Sequence, residues 1–308
     1  MRCPRAVAPN EFAFRPNLGK KRGMNKIAVT GGSGKLGRAC VKDLLTHGHQ
    51  VFNVDRAAPA EGMCPLILAD LADFGQAVDA FSHRPGENAG RGNFDAIVHL
   101  AAIPAPHLFT DAVVFQNNTL STYNVFAAAW RLGIKNIVWA SSETVLGLPF
   151  DTPPPYAPVD EEYAGRPETA YSLSKLMGEE MAKQFCRWDA EMKIIGLRFS
   201  NVMEPQDYEK FTEFQKNPTM RKWNLWGYID ARDGAQAIRK AVEAPLKGAE
   251  VFIIANADTV MTQSSAQLMA GSFPGVPIKG KIGTNETLLS IEKAKRVLGY
   301  KPEFGWRK

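Results

Sequence analysis

Residues 27–37 read Ile-Ala-Val-Thr-Gly-Gly-Ser-Gly-Lys-Leu-Gly, a short apolar run that breaks into a glycine turn and resumes as a helix-forming pattern. A strand passing through such a turn into a helix presents backbone N–H groups to the pyrophosphate of a dinucleotide. Gly31 permits the tight turn, Gly34 lets the backbone approach the phosphates, and Gly37 lets helix and strand pack closely. The spacing is G-x-x-G-x-x-G, not the commoner G-x-G-x-x-G, so the turn alone does not specify a ligand. Order supplies the rest. Asp55 ends a second strand, Ser141 and Ser142 end a later one, and Tyr171 then precedes Lys175 in Tyr-Ser-Leu-Ser-Lys. That spacing sets a phenol and an ammonium on one helical face, and the combination points to hydride transfer.

Apolar runs recur at 26–30, 50–54, 66–69, 95–100, 136–141 and 193–198, with helical patterns at 35–47, 74–82, 113–132 and 169–188. Strands alternating with helices of this length predict an α/β, doubly wound (Rossmann) parallel sheet covered on both faces. Segment 83–93 reads as a surface loop, and the proline-rich 147–168 as irregular chain over the cleft mouth. Residues 200–228 are aromatic and polar with little periodicity. A helix at 233–243, a strand at 250–255 and two short helices follow. The expected organisation is a leader at 1–23, an NAD-binding domain at 24–199 and a small C-terminal substrate-binding lobe at 200–308, partly interleaved with the sheet.

The chain has 308 residues, 45% of them apolar, and a net charge of +5. The excess is local. Arg2, Arg5, Arg15, Lys20, Lys21 and Arg22 face only Glu11 in the leader, and the remainder carries as many acidic as basic groups. A neutral body gives no support for nucleic-acid binding. No segment approaches the roughly 18 apolar residues of a membrane span. The leader has no apolar h-region and is broken by Pro4, Pro9 and Pro16, so it reads as a disordered extension rather than a secretory signal. Cys3, Cys40, Cys64 and Cys186 are scattered and the histidines are not clustered, which implies reduced thiols, no metal and a cytoplasmic enzyme.

At the strand end, the Asp55 carboxylate is placed to accept both hydroxyls of an adenosine ribose and to repel a 2′-phosphate. NAD is therefore expected over NADP, with Arg56 softening the repulsion. Asp70 and Leu71 follow the third strand and could flank the adenine.

The chain resembles the extended short-chain dehydrogenase/reductase family, in its NAD-dependent sugar epimerase/dehydratase group. The matching pieces are Thr-Gly-Gly-Ser-Gly-Lys-Leu-Gly (30–37), Asp70-Leu71, His-Leu-Ala-Ala (99–102) and Asn-Thr-Leu-Ser-Thr-Tyr-Asn-Val (118–125). Ser-Ser-Glu-Thr-Val-Leu-Gly (141–147), Tyr-Ser-Leu-Ser-Lys (171–175) and Arg-Phe-Ser-Asn-Val (198–202) continue it in order. The resemblance implies Gly31, Gly34, Lys35 and Leu36 at the pyrophosphate and Leu100, Ala101 and Ala102 along the cofactor. It also implies Asn118 near the ribose and phosphate region. It makes Tyr171 the general base, supported by Lys175, which also holds the nicotinamide ribose, and Ser142 the hydrogen-bond donor to the same substrate oxygen. It suggests a homodimer through the helices near 113–132 and 169–188.

Departures from the family pattern narrow the reaction. Dehydratases of the group follow the serine position with Asp-Glu, where this chain has Glu143-Thr144, so dehydration is disfavoured. Nucleotide-sugar epimerases carry an arginine on the diphosphate, where this chain aligns Trp226. The run Met-Arg-Lys-Trp-Asn-Leu-Trp (220–226) is similar to the uronate dehydrogenase branch, which implies Arg221 on a substrate carboxylate and Asn201 as a further substrate contact. The expected function is an NAD-dependent oxidoreductase of a small sugar or sugar acid. The alternatives are an NAD-dependent sugar epimerase and a non-catalytic dinucleotide-binding regulator.

Overall fold

The first strand, β1 (Lys26–Thr30), is apolar on both faces, with Ile27, Ala28 and Val29 fully buried. A strand without a polar face belongs in a parallel sheet covered by helices on both sides. In the computed structural model, which describes residues 25–82 and 94–307, it lies inside a seven-stranded, fully parallel sheet. The expected leader and the expected loop at 83–93 lie outside the described residues.

The chain runs from β1 through α1 (Lys35–Thr46), β2 (Gln50–Asp55), β3 (Leu66–Leu68), α2 (Phe74–Ser82) and β4 (Ala96–His99) to α3 (Asp111–Leu132). It continues through β5 (Asn136–Ser142), α4 (Ala170–Trp188), β6 (Lys193–Phe199), β7 (Val202–Met203), α5 (Phe211–Lys216) and β8 (Ile229–Asp230). The last elements are α6 (Ala231–Glu243), β9 (Gly248–Ile254), α7 (Ser265–Ser272) and α8 (Glu292–Leu298). Strand order is β3-β2-β1-β4-β5-β6-β9, with β7 and β8 forming a separate parallel pair. The order reverses between β1 and β4, the switch point where open α/β sheets bind ligands beyond their carboxyl ends.

Alternation along β1 divides the core. Ile27 and Val29 face α1 and α6 through Val41, Leu44, Ala237 and Ile238, whereas Ala28 faces the side of α2, α3 and α4 with Phe81, Phe126 and Phe185. Among the described residues no helix is long and apolar enough to cross a membrane.

The expected elements differ from the observed ones mainly at their ends, where caps decide. Helix α3 begins at Asp111, after the extended Thr110, and α6 begins at Ala231 because the Asp230 carboxylate accepts the Arg232 N–H at 2.9 Å. The middle of segment 200–308 belongs to the sheet. β9 pairs with β6 along its whole length, and Arg239 of α6 bonds Asp43 of α1 at 2.8 Å. Segment 147–168 has neither helix nor strand, and Leu148, Pro149 and Thr169 border the cleft.

Helix α4 is held unusually close to the sheet. A Cβ on Gly178 would stand 2.5 Å from the Trp139 ring of β5, so only glycine permits the approach. One residue on, buried Glu179 accepts the Arg198 Nε at 2.8 Å and Nη2 at 2.7 Å, and also the Ser141 hydroxyl at 2.7 Å. Helix, β5 and β6 are thus joined at one carboxylate. Glu179→Ala leaves the Arg198 cation buried and uncompensated, and is expected to lower unfolding free energy by about 3–5 kcal/mol. Urea titration checks this, and a loss below about 1 kcal/mol would contradict the clamp.

Candidate active site

The carboxyl ends of β1, β2, β4 and β5 open onto one cavity of about 880 Å³, the size of a cofactor or ligand site. Its first wall is the glycine turn. Gly31 has φ +70°, and a Cβ there would lie 2.6 Å from the Ala101 nitrogen, while a Cβ on Gly37 would collide with the Gly31 carbonyl oxygen. Packing alone therefore demands these two glycines. Gly34 is different, since its Cβ would meet nothing closer than 3.4 Å within the protein. Gly34 is the N-cap of α1, makes no side-chain cap and borders the cavity, so a bare backbone and free helix N–H groups face the space.

The rest of that wall matches a dinucleotide. Asp55 ends β2, and its carboxylate, accepting Ser33 N–H at 3.0 Å and Arg56 N–H at 2.7 Å, is fixed at the cavity edge beside Arg56. Asp70 and Leu71 lie just past the end of β3, with Asp70 accepting the Ala72 N–H at 3.0 Å, and both border the same space. Leu36, Leu100, Ala101 and Ala102 complete it. The Leu100 N–H donates to Thr30 O at 3.0 Å and Thr30 Oγ1 meets His99 Nδ1 at 2.8 Å, which ties β1 to β4 across the switch point. Burial drops the His99 imidazole to about 3, with the Lys175 charge adding to the effect, so it is a neutral strut.

Lys35 lines the cavity, yet its ammonium is bonded to Asp207 at 2.6 Å, in the turn Pro205–Lys210, rather than left for a phosphate. Arg38 makes a parallel bond to Glu204 at 2.9 Å. Asn118 is a correction. It is buried in α3 and spends both ends of its amide on Ile103, accepting the N–H at 2.8 Å and donating to the carbonyl at 3.0 Å. It shapes the loop after β4 and does not border the cavity; its α3 neighbours Asn117 and Ser121 do.

Beyond the glycine turn the cavity reaches Ser142, Tyr171 and Lys175. Thr169 and Ser172 form a reciprocal cap that starts α4, so Tyr171 and Lys175 leave its first turns toward β5. The Lys175 ammonium donates to Ala140 O at 2.8 Å and stands 5.7 Å from the centre of the Tyr171 ring. An ammonium has three donors, so two stay available. Burial lowers the Lys175 ammonium to about 8 and raises the Tyr171 phenol to about 12. The neighbouring Glu143 charge pushes the phenol the same way and the Ser142 hydroxyl opposes it. Ser142 Oγ accepts both the N–H and the hydroxyl of Thr144, at 3.2 and 3.0 Å, which leaves its own proton to be given elsewhere.

The substrate end departs from expectation at Arg221. Its guanidinium is buried behind Asn201, donating to Asn201 Oδ1 at 3.2 Å and Gly227 O at 2.8 Å, and does not border the cavity. Asn201 does. Trp226 is a core residue, its indole N–H bonded to Pro218 O at 2.7 Å, and Arg232 is turned to Asp230 at 2.8 Å. Glu143, Ser200 and Trp223 are among the residues bordering the site that sequence reasoning did not place there. Glu143 was legible only as a departure from a carboxylate pair, and Ser200 and Trp223 carried no signal apart from their neighbours.

Comparison with known proteins agrees with this geometry. The chain is 28% identical over 262 residues to the L-arabinose 1-dehydrogenase (NAD(P)(+)) of Haloferax volcanii, covering 82% of this chain and 96% of that protein. It is 30% identical over 187 residues to the uronate dehydrogenase of Pseudomonas syringae pv. tomato, covering 59% of this chain and 62% of that protein. The fold superimposes on the UDP-N-acetylglucosamine 4-epimerase from Bacillus cereus with a TM-score of 0.66 at 20% identity, over 92% of this chain and 95% of that one. The sequence profile of the NAD dependent epimerase/dehydratase family matches residues 27–255. With the glycine turn, Asp55 and the Tyr171–Lys175 helix on one cavity, the chain belongs to the NAD-dependent epimerase/dehydratase family, and its cofactor is NAD.

Proposed function

We propose that this protein is an NAD-dependent dehydrogenase that oxidises a hydroxyl carbon of a small sugar or sugar derivative. The observation that supports it most is the convergence of Ser142, Tyr171 and Lys175 on the cavity that also passes Asp55 and the glycine turn. In this reading residues 24–199 hold the cofactor and residues 200–308 supply the substrate side. The substrate oxygen sits between Ser142 and Tyr171. Ser142 donates its free proton to that oxygen, and Tyr171 Oη takes the hydroxyl proton as the C–H and O–H bonds break and the carbonyl forms. NAD, held along the glycine turn and Asp55, would supply the hydride acceptor, and its oxidised nicotinamide would place a positive charge beside the phenol until the hydride arrives. Lys175 contributes the other cation, and together they oppose the burial that holds the phenol near 12. The two remaining Lys175 donors suit the nicotinamide ribose.

An epimerase is the second reading, favoured by the family itself. It differs in stoichiometry: a dehydrogenase accumulates one reduced cofactor per substrate, whereas an epimerase regenerates its own. Incubation with sugars and free NAD, followed at the absorbance of the reduced cofactor, separates the two. Tyr171→Phe is expected to lower turnover by about 10²–10⁴-fold while NAD affinity stays near that of the wild type. Turnover above a tenth of wild type would refute the general-base role.

The same reading makes Asp55 the selector of NAD over NADP. Asp55→Ala loses a charge-assisted contact of roughly 1.5–3 kcal/mol, so NAD binding should weaken about ten- to a hundredfold and the preference against NADP should narrow. Fluorescence titration with the reduced cofactors measures both; tighter wild-type binding of NADPH would make Arg56 the determinant.

We further propose a homodimer and a cytoplasmic setting. Val113, Leu120, Tyr123 and Trp130 of α3 and Leu173, Met177 and Trp188 of α4 are 40–52% exposed on adjoining helices, a continuous apolar face that a second copy would cover. Cys40, Cys64 and Cys186 are free thiols, as a reducing compartment would keep them. Leu120→Asp together with Met177→Asp should shift the sedimentation coefficient from dimer to monomer. A wild type that already sediments as a monomer would refute the interface.

A further inference from the structure

A hydroxyl owns one proton and two acceptor positions. Both acceptor positions of Ser142 Oγ are taken by Thr144, whose backbone N–H donates at 3.2 Å and whose own hydroxyl donates at 3.0 Å. The first bond is the cap of the 3-10 turn Glu143–Leu146, which the extended Ser142 (φ −149°, ψ 147°) opens. That cap needs no particular side chain at Thr144. The second bond is additional, and it exists because the turn carries a short hydroxyl side chain back to the residue that starts it.

Ser142 and Thr144 both border the cavity, as does Tyr171. The Tyr171 ring packs against Ile103 and Val114, which carry no charge. Among the described residues, the charged groups facing it are Lys175 on its own helix and Glu143 in the turn. The Ser142 hydroxyl opposes the rise that burial imposes on the phenol, as a donor facing it does. With its acceptor positions filled, Ser142 has no place for the proton of an incoming hydroxyl and gives only its own. Oxidation of an alcohol needs this one-way arrangement. The substrate hydroxyl must accept from Ser142 and surrender its proton to Tyr171. The reverse bond, in which the substrate donates to Ser142, holds the substrate as firmly and leads to no reaction.

We propose that Thr144 is a positioning residue: its hydroxyl, donated to Ser142, aims the Ser142 proton at the reacting oxygen and closes Ser142 to the substrate's own proton. The inference rests on the dehydrogenase reading for the reaction, and on the two Thr144 bonds for the direction of the Ser142 proton. The same donation makes Ser142 the stronger donor, since hydrogen bonds in a chain polarise one another. Thr144 thereby acts on Tyr171 through Ser142, steadying the tyrosinate that takes the substrate proton.

Thr144→Val removes the hydroxyl at nearly the same size and keeps the N–H cap, whereas Thr144→Ser keeps both bonds. Each variant is assayed with NAD and L-arabinose, D-glucose, D-galactose, D-glucuronate and D-galacturonate. Thermal midpoints with NAD report folding, and Thr144→Ala, read in the same way, replaces Thr144→Val if that variant does not fold. For a sugar that the wild type oxidises, Thr144→Val should lower kcat about tenfold with KM unchanged or lower, because the misdirected bond still holds the substrate. Thr144→Ser should keep kcat within about twofold of wild type. The acid limb of kcat/KM against pH should move to higher pH in Thr144→Val, since a less stabilised tyrosinate takes its proton earlier as pH falls. A second measurement needs no turnover: NMR of carbon-13-labelled tyrosine in NAD-saturated protein, with the Tyr171 signal assigned by its loss in Tyr171→Phe. The Tyr171 phenol should titrate roughly half a pH unit higher in Thr144→Val and stay at its wild-type position in Thr144→Ser. That displacement, with no sugar in the set oxidised, supports the positioning role and counts against the dehydrogenase reading. A loss carried by KM, a kcat loss that Thr144→Ser shares, or a Tyr171 titration indifferent to Thr144→Val overturns the positioning role. If a sugar is oxidised in those cases, the dehydrogenase reading stands without it.

Discussion

Glu179 is the point on which the arrangement of this protein depends. One carboxylate, buried between α4 and the sheet, receives both forks of Arg198 from β6 and the Ser141 hydroxyl from β5. Removed from water, an unpaired carboxylate or guanidinium costs several kcal/mol, so the three elements have one low-energy arrangement. That arrangement places Tyr171 and Lys175, about two turns and one turn earlier on α4, over the end of β5 where Ser142 emerges. Gly178 acts with it, because the clamp closes only if the helix backbone can reach the Trp139 ring. The geometry of the three groups is thus set by packing one layer beneath them.

The cavity has two electrostatic halves with different construction. Toward the glycine turn, backbone N–H groups, Arg56 and the Asp55 carboxylate border open space, a surface suited to phosphates and ribose hydroxyls. Toward Tyr171 the polar groups are buried and mutually bonded, and desolvation dominates. Burial pushes the Tyr171 phenol and the Glu143 carboxyl up, to about 12 and about 7, and pulls Lys175 down to about 8. Every shift favours the uncharged form, so charge there must come from a bound group or from pairing.

Much of this was readable along the chain. The βαβ alternation follows from period and length, and the doubly wound topology from the rule that crossovers are right-handed. Gly31 and Gly37 were readable because their demand is local: one needs a positive φ, the other a close helix–strand approach. Residues 200–228 were not. Their short 3-10 turns, their six-residue α-helix and a two-residue strand are too brief to leave a periodic pattern, and tertiary bonds such as Trp226 to Pro218 hold them.

Side chains divide the same way. By itself the sequence determined which groups could do chemistry, since a phenol, an ammonium and a hydroxyl at Tyr171, Lys175 and Ser142 keep their character in any fold, and helical spacing puts the first two on one face. It could not determine what each polar side chain touches. Asn118 and Arg221 carry the right chemistry for a ligand, but the fold spends the first on Ile103 and the second on Asn201 and Gly227. Glu143, a departure from a familiar pair when read as a string, is a buried carboxyl beside the cavity, bonded by Asn224 and paired in charge with Arg221, which both arrive from about 80 residues away. The physical reason is general. Burial and partnership decide whether a charge is available, and both are properties of long-range packing rather than of neighbours in the chain.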